Sequence, residues 1–286
     1  MDTTTDPAFE FVKRLSQELA RNDFDLPPFP DTALRVREAL NDPDVSIEKL
    51  GKIVLSEPTL TARLMRMANS AMMHRGTVEI TDIKTAISRV GLDMVQNAAV
   101  SLAANQAFNA SVGSSLRDHL DTIRRHSTRV CALAYFLAKK VQSSGKPDEA
   151  MLAGLLHAIG KFYILTRADD FPELFANADA LEVLLDEWHT GVGRAIVESW
   201  GFPEEIANAV DEYQLVDRER FGQADITDIV IVANLLARAD EEPATEQPDL
   251  DQVPSLLRMK IDAETVRNLV RESEEEIRSM IQALAS

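Results

Sequence analysis

Three histidines lie on three predicted helices and are the residues best suited to metal chemistry. His126, His157 and His189 are 31 and 32 residues apart. Imidazole nitrogens suit zinc, iron and nickel, so the three rings could hold one divalent metal if the fold brings them together. A bound metal would lower the pKa of water and generate a nucleophile for hydrolysis. The alternative, which we favour, is a hydrogen-bonded histidine cluster without a metal.

Acidic ligands for such a metal are not evident next to these histidines. Ala158 directly follows His157, and a neutral methyl group cannot hold a divalent cation. Asp211 or Glu212 could complete a site, but the spacing alone does not show that either faces inward. Lys161 could meet a phosphate, or it could neutralise the C-terminus of a helix.

The composition is that of an acidic, helix-forming protein. The 286 residues contain 30 Lys and Arg against 47 Asp and Glu, a formal net charge of −17. This charge repels nucleic-acid backbones and anionic membranes, so we expect neither as a partner. No apolar run approaches the ~18 residues of a membrane helix, the first residues are polar and acidic, and the single Cys131 precludes an internal disulfide. We therefore expect a cytoplasmic protein.

Apolar residues recur at helical spacing along almost the whole chain, and no segment has a convincing strand pattern. The first predicted helix covers residues 7–22 and has Phe9 on its inward face. Ser46 and Asp262 are typical N-caps, and the second is followed by one long amphipathic helix. We expect the acidic run at 272–276 to be solvated, so the opposite face of that helix needs a partner.

Three segments resemble the HDOD family, bacterial signalling modules related to the HD phosphohydrolases. The first is Leu-Pro-Pro-Phe-Pro at 26–30, followed by a helix and the Asn41-Asp42-Pro43 turn. The second, 57–71, is similar to the family's Asp-Pro-x-Leu … Asn-Ser-Ala stretch, although Glu57 stands where Asp is more usual, and 80–95 looks like the helix that follows. The third contains Arg125-His126-Ser127, His157-Ala158-Ile159-Gly160-Lys161, and His189 before Trp200-Gly201-Phe202-Pro203. Together these segments lie within residues 24–238.

The resemblance implies an all-α fold in which an N-terminal helical subdomain packs on an HD-like helical bundle, with additional C-terminal helices. On this basis we predict an N-terminal helix at 1–22, the N-terminal subdomain at 23–112, the HD-like subdomain at 113–239, and an acidic linker with C-terminal helices at 240–286. The same fold would bring the three histidine rings together.

Compared with an active HD hydrolase, the resemblance implies a loss of metal-binding acids. His126 and His157 stand where the first two histidine ligands are expected, and Ala158 replaces the Asp that bridges two metals. Residues 211–214 occupy the stretch where active relatives carry further histidines, and Asn234 falls where the terminal Asp is expected. We therefore expect no catalytic residues. If the pocket retains a ligand, we expect it to contact Lys161, Asp211 or Asn234, and we expect the three histidines to hold no cofactor or a single divalent metal.

The function that the resemblance implies is that of a non-catalytic signal-transduction module acting through protein–protein contacts. The expected partners are signalling proteins of a two-component or cyclic-dinucleotide pathway, and a homodimer is a further option. One alternative is a residual metal-dependent phosphohydrolase. Another is a nucleotide-sensing module that binds a nucleotide in the pocket corresponding to the HD active site without cleaving it. The sequence identifies neither the pathway nor the partner.

Overall fold

The helical periodicity of the sequence is confirmed in the computed structural model of the chain, which describes residues 7–21, 31–73, 79–109, 116–141, 146–168, 170–241 and 248–285. These residues contain α-helices, turns and short 3-10 segments, and no β-strand is formed among them. No helix in the same ranges is long and apolar enough to cross a bilayer. The predicted extended segment at 26–30 and most of the predicted boundary at 109–115 lie outside the described residues.

The helices fall into three consecutive groups along the chain. The N-terminal group is α1 (Pro7–Arg21), α2 (Asp31–Leu40), α3 (Ile47–Leu55), α4 (Pro58–Asn69), α5 (Ile83–Val90) and α6 (Leu92–Asn109). The HD-like group is α7 (Arg117–Lys140), α8 (Pro147–Leu156), α9 (Ile159–Leu165), α10 (Pro172–Phe175), α11 (Ala178–Ser199), α12 (Glu204–Glu212) and α13 (Ile226–Glu241). The C-terminal group is α14 (Pro254–Arg258), α15 (Ala263–Glu272) and α16 (Glu274–Ala285).

Side-chain caps set several of these helix starts, as expected from the sequence. Ser46 accepts a hydrogen bond from the backbone N–H of Lys49 at 3.1 Å, and Asp262 accepts one from Thr265 at 2.7 Å. The helix that follows Asp262 is not continuous, because α15 ends at Glu272 and α16 begins at Glu274. The prediction of a single long C-terminal helix from the amphipathic pattern was therefore wrong.

The first helix packs on α10 and α11 of the HD-like group. The Phe11 ring meets the edges of Phe171 and Phe175, with centroid separations of 5.1 and 6.1 Å. Phe9, which the periodicity placed inward, is 60% exposed. The prediction was wrong because Phe9 and Phe11 lie on opposite sides of one helical turn, and only one of them can face the bundle.

The N-terminal group and the HD-like bundle are joined by polar contacts between helices. Asn97 of α6 donates to the carbonyl of Asp148 at the start of α8, at 2.9 Å. Arg37 of α2 donates to the carbonyl of Trp200, one of the acceptors that the end of α11 leaves open. These contacts link the two halves.

The last helix bridges both halves. α16 packs on α7 of the HD-like bundle and on α4 of the N-terminal group. Its inner face buries Ile277, Met280, Ala283 and Leu284, and the Ser279 hydroxyl accepts a hydrogen bond from the Ala71 N–H at 2.9 Å. The glutamates of the 272–276 run are exposed, as predicted. The partner that the sequence required for the opposite face is thus this chain itself.

Replacing Asn69 with Ala is expected to lower the free energy of unfolding by about 2 kcal/mol. The Asn69 amide accepts from the Ile80 N–H at 2.8 Å and donates to the carbonyls of Ile80 and Met65 at 2.9 and 3.0 Å. Ile80 is buried, so the truncation leaves its backbone groups without these partners. Urea denaturation monitored by circular dichroism measures the change. Thr59→Ala on the exposed side of the same helix is the matched control, and equal effects of the two substitutions would contradict the expectation.

Candidate functional site

Three histidines and one tyrosine form a row of rings through the HD-like bundle. His126 lies on α7, His157 follows α8, His189 lies on α11, and Tyr213 follows α12. The ring centroids of His126 and His157 are 5.3 Å apart, those of His157 and Tyr213 are 4.6 Å apart, and those of Tyr213 and His189 are 5.6 Å apart. We call these four side chains the histidine row. Tyr213 separates His189 from the other two imidazoles.

Both ring nitrogens of His189 are already hydrogen-bonded. Its Nδ1 contacts the carbonyl of Leu185, which can only accept, so this nitrogen carries the proton of the neutral ring. Its Nε2 is then an acceptor and receives the hydroxyl proton of Tyr213. His189 is completely buried, so this pair fixes the tautomer of the ring and leaves no lone pair for another ligand.

His157 has one nitrogen satisfied and one without a partner. Its Nδ1 donates to the carbonyl of Gly154 at 2.7 Å, which leaves Nε2 as an unprotonated acceptor. This Nε2 is buried and has no hydrogen-bond partner among the described residues. Among the described residues, it is the one ring nitrogen of the row that has no hydrogen-bond partner, so its lone pair is free for a ligand.

Burial keeps the inner members of the row neutral. Loss of hydration, together with nearby Lys161, lowers the pKa of His189 to about 3. Burial, and next the neighbouring His126, holds the pKa of His157 well below its usual range. Burial also raises the pKa of the Tyr213 hydroxyl above its usual range. At neutral pH these three groups are therefore uncharged and act through hydrogen bonds.

The outer end of the row carries the only carboxylate that is hydrogen-bonded to a ring of the row among the described residues. His126 Nδ1 lies 2.7 Å from Glu241 Oε2, and its Nε2 lies 2.9 Å from Asn234 Oδ1. The side chain of His126 is 19% exposed, and Asn234 is buried. Asn234 thus lies at the row, where its neutral amide contacts an imidazole.

The arrangement of these donors does not fit a divalent metal. Among the described residues, no group of three or more His, Cys, Asp or Glu side chains is placed to hold a metal ion. His189 has no free nitrogen, and the Tyr213 ring stands between it and His157. Ala158 is buried and offers only a methyl group. We therefore derive no chemical step through a metal in this row.

Two residues that the sequence suggested for ligand contact form ion pairs with neighbouring side chains. Asp211 pairs with Arg194 at 3.3 Å between α11 and α12. Lys161 reaches Asp186 at 3.4 Å and lies in the first turn of α9. Glu212, the other acid considered for the site, pairs with Arg218 at 2.6 Å.

Sequence reasoning missed Tyr213 and Glu241 as members of the site. Tyr213 was noted only as part of a stretch lacking histidines, yet its hydroxyl is the partner of His189. Glu241 was assigned to an acidic linker, but α13 continues through it and directs its carboxylate to His126. Neighbouring Asp240 pairs with Arg129 of α7 in the same way. The available signal in the sequence was the position of Asp240 and Glu241, three and four residues after the last buried residue of α13, Ala237, where a continuing helix would still present them to its neighbours.

A close crossing of α9 and α11 holds His189 in position. A β-carbon added to Gly160 would lie 1.9 Å from the carbonyl oxygen of His189 and 2.8 Å from the Gly193 nitrogen. Both distances are shorter than any stable contact, so the two helices approach this closely only because residue 160 is glycine.

The substitution Gly160→Ala is expected to destabilise the protein by about 3 kcal/mol, because α9 and α11 must separate. Thermal or urea denaturation measures this, and Gly191→Ala on α11 is the matched control. Gly191 has open space around it, so a methyl group there should be neutral or slightly stabilising in the helix. A stable Gly160→Ala protein with unchanged tyrosine fluorescence would contradict the expected crossing.

The bundle with histidines on α7, after α8 and on α11, joined to a helical N-terminal group, defines an all-helical HD-like domain. The HDOD domain family matches residues 26–215, two thirds of the chain. The chain therefore belongs to the HDOD domain family. The all-α architecture expected from the sequence is confirmed, and α14–α16 lie beyond the matched residues.

Two solved structures share this architecture. One is "Putative metal-dependent phosphohydrolase" from Shewanella amazonensis SB2B, with a TM-score of 0.81, 25% identity, and coverage of 97% of this chain and 99% of that one. The other is an HDOD domain protein with unknown function from Geobacter sulfurreducens, with a TM-score of 0.70, 25% identity, and coverage of 96% and 99%. The first similarity spans α14–α16 as well as the HDOD region.

A curated relative is longer than this chain. An uncharacterized protein of Treponema pallidum (strain Nichols) is 24% identical over 209 residues, which cover 69% of this chain and 39% of that protein. The chain thus spans well under half of that relative's length.

Proposed function

We propose that this chain is a non-catalytic signalling module that acts through contacts with other proteins. The observation that carries the proposal is that the histidine row lacks a set of ligands for a metal: both His189 nitrogens are bonded, and Asn234 and Ala158 supply no charge. A catalytic zinc site of this kind needs three protein ligands with free lone pairs and an open position for water. The row therefore serves to hold α7, α8, α11 and α12 together.

The route for a signal is the contact surface between the N-terminal group and the HD-like bundle. Arg37 and Asn97 donate hydrogen bonds across it, and α16 touches both sides, with Ser279 accepting from Ala71 of the N-terminal group. A partner that binds one packing of the two halves more tightly than another shifts the population toward it. Proteins of two-component or cyclic-dinucleotide pathways are the partner class we propose.

The first test asks whether the protein hydrolyses phosphodiesters, because the Shewanella structure is named as a metal-dependent phosphohydrolase. Purified protein is assayed for metal content and for cleavage of bis(p-nitrophenyl) phosphate with added manganese, iron, zinc or nickel. We expect no turnover above the metal-only background. Turnover that is lost in His126→Ala and retained in His119→Ala, an exposed histidine on the same helix, would establish a residual phosphohydrolase and overturn the proposal.

A second test addresses the partner and separates it from nucleotide sensing. Tagged full chain is incubated with extract of the native cell, and captured proteins are identified. We expect a signalling protein whose capture falls in Arg37→Gln, which weakens the contact between the halves, and persists in Arg35→Gln on the same helix. A thermal shift of several degrees with a guanine or adenine signalling nucleotide, without such a partner, would instead favour a nucleotide-sensing module.

A further inference from the structure

A cavity lies between the C-terminal helices and the end of α13, outside the histidine row. Its volume is about 590 Å³, within the ~300–1,000 Å³ range of small-molecule sites. α13, α15 and α16 form its walls, and Arg129 of α7 completes one side. Apart from Arg129, the residues that line it lie beyond the segment matched by the HDOD family.

The floor of this cavity is aliphatic. The apolar side chains that line it are Leu235, Leu236, Leu250, Val270, Ile277 and Ile281. Most of them are buried, so they already form a water-poor surface. No aromatic side chain is among the described residues that line the cavity. Nucleobases are held largely by stacking on aromatic rings, so this floor suits an aliphatic chain better than a base.

The rim of the cavity is basic in a strongly acidic protein. Arg129, Arg267, Arg271 and Arg278 line it against two carboxylates, Asp240 and Glu274, which leaves two positive charges in excess. The whole chain carries −17. Arginine presents a planar set of donors that matches carboxylate and phosphate groups. The local charge is therefore complementary to an anion.

Two of these guanidinium groups are available to a ligand. Arg129 pairs with Asp240, and Arg271 donates to Asn268 at 3.1 Å. Arg267 and Arg278 are exposed and make no ion pair with any residue that the structure describes. Arg267 and Arg271 are four residues apart on one face of α15, and Arg278 faces them from α16.

We infer that this cavity binds an anionic amphiphile, with a carboxylate or phosphate head group at Arg267 and Arg278 and an aliphatic chain on the Leu and Ile floor. Binding is reversible and non-covalent. The inference stands independently of the proposed function, because it rests on no residue of the row and on no partner protein. Asp240 lines the cavity and its neighbour Glu241 bonds His126, so an occupied cavity adjoins the outer end of the row.

The test is isothermal titration of the full chain with decyl phosphate and decanoate, both below their micelle concentrations. Decanol and inorganic phosphate are the comparison probes. We expect at least one decyl anion to bind at least tenfold more tightly than either comparison probe. The double variant Arg267→Gln/Arg278→Gln should weaken that binding at least tenfold, about 1.4 kcal/mol. Both arginines are exposed, so the variant should fold, which circular dichroism verifies.

A matched control removes the same charge elsewhere. Arg89→Gln/Arg117→Gln alters two exposed arginines far along the chain from the cavity and should leave binding unchanged. Equal weakening of binding in both double variants would show that the loss depends on net charge alone, and would overturn the proposed site. Decanol binding as tightly as the anions would show that the arginines do not bind the head group. Inorganic phosphate binding as tightly as decyl phosphate would show that the aliphatic floor does not bind the chain. No binding of either anion at millimolar concentration would overturn the inference entirely.

Discussion

Truncating Asp228 to Ala is expected to lower the free energy of unfolding by about 3–5 kcal/mol, because it leaves buried arginine charge without its partner. Asp228 is fully buried near the start of α13. Its carboxylate accepts from Arg258 Nε at 3.0 Å, from Arg218 Nη1 at 3.1 Å and from the Ser255 hydroxyl at 2.9 Å. It also accepts from the backbone N–H of Asp225 at 3.1 Å.

The Asp228 cluster fastens the C-terminal helices to the HD-like bundle. Arg218 also pairs with Asp225 and Glu212, but Arg258 of α14 has Asp228 as its only carboxylate partner among the described residues. Burial by itself raises the pKa of Asp228, yet the hydrogen bonds from Arg258, the Asp225 N–H and Ser255 outweigh it and lower that pKa. The cluster is therefore intact above the unfolded carboxyl pKa of about 4 and is lost as the pH falls further.

Urea denaturation of Asp228→Ala at pH 7 measures the expected loss. Asp217→Ala, an exposed acid in the preceding loop, is the control and should change stability by less than about 0.5 kcal/mol. Limited proteolysis adds a local readout, since cleavage near residues 248–262 should accelerate in the Asp228 variant only. If both alanine variants unfold at the same urea concentration, the cluster does not carry the C-terminal helices.

Acidification is expected to destabilise the protein well above the range in which carboxylates titrate. The pKa of His189 is about 3 in the folded state and about 6.5 in an unfolded chain. Between these values the unfolded state binds a proton that the folded state excludes, so stability falls as the pH falls. His189 alone contributes a loss of about 4–5 kcal/mol across that window. His157 adds a loss of the same sign, because its pKa is also lowered.

The charged groups near these rings do not reverse this sign. Lys161 raises the cost of protonating His189, whereas Asp186, its ion-pair partner, lowers it. Glu241 bonds His126, at the outer end of the row. The direction is therefore set by burial of the two inner imidazoles.

Denaturation midpoints at half-unit steps from pH 7.5 to pH 4.5 measure the expected slope. His189→Gln removes the titrating group and keeps an amide that can accept from Tyr213. The stability of this variant should therefore depend less steeply on pH than that of the parent protein, by a slope that corresponds to about one proton. His119→Gln, at an exposed histidine, should leave the slope of the parent protein unchanged. A parent protein whose stability is flat from pH 6.5 to pH 5 would show that His189 and His157 are protonated when folded.

Local sequence pattern was sufficient for the fold class and for much of the secondary structure. Helical spacing of apolar residues, the caps Ser46 and Asp262, and the absence of strand patterns depend only on near neighbours in the chain. The same is true of the solvated acidic run at 272–276. The motif order carried the family assignment, which the match over residues 26–215 confirms.

The local sequence pattern did not predict which of two apolar helix faces is buried, or how residues distant in the chain pack together. Phe9 and Phe11 are equally apolar, and only the position of Phe171 decides which one is buried. The break at Ser273 between α15 and α16 allows α16 to reach both α4 and α7, although the amphipathic pattern runs on through it. These outcomes depend on the position of the neighbouring helix, which a local period does not contain.

The sequence by itself determined that three histidines lie on separate helical segments and that Ala158 and Asn234 bring no acid to them. Only the tertiary structure decided what those histidines bond: Tyr213 for His189, Glu241 and Asn234 for His126, and no described residue for His157 Nε2. It also decided that Asp211 and Lys161 form ion pairs with Arg194 and Asp186. The physical reason is range: helix formation depends on residues three to four apart, whereas a hydrogen-bond partner is selected by packing across more than a hundred residues, as between His126 and Glu241.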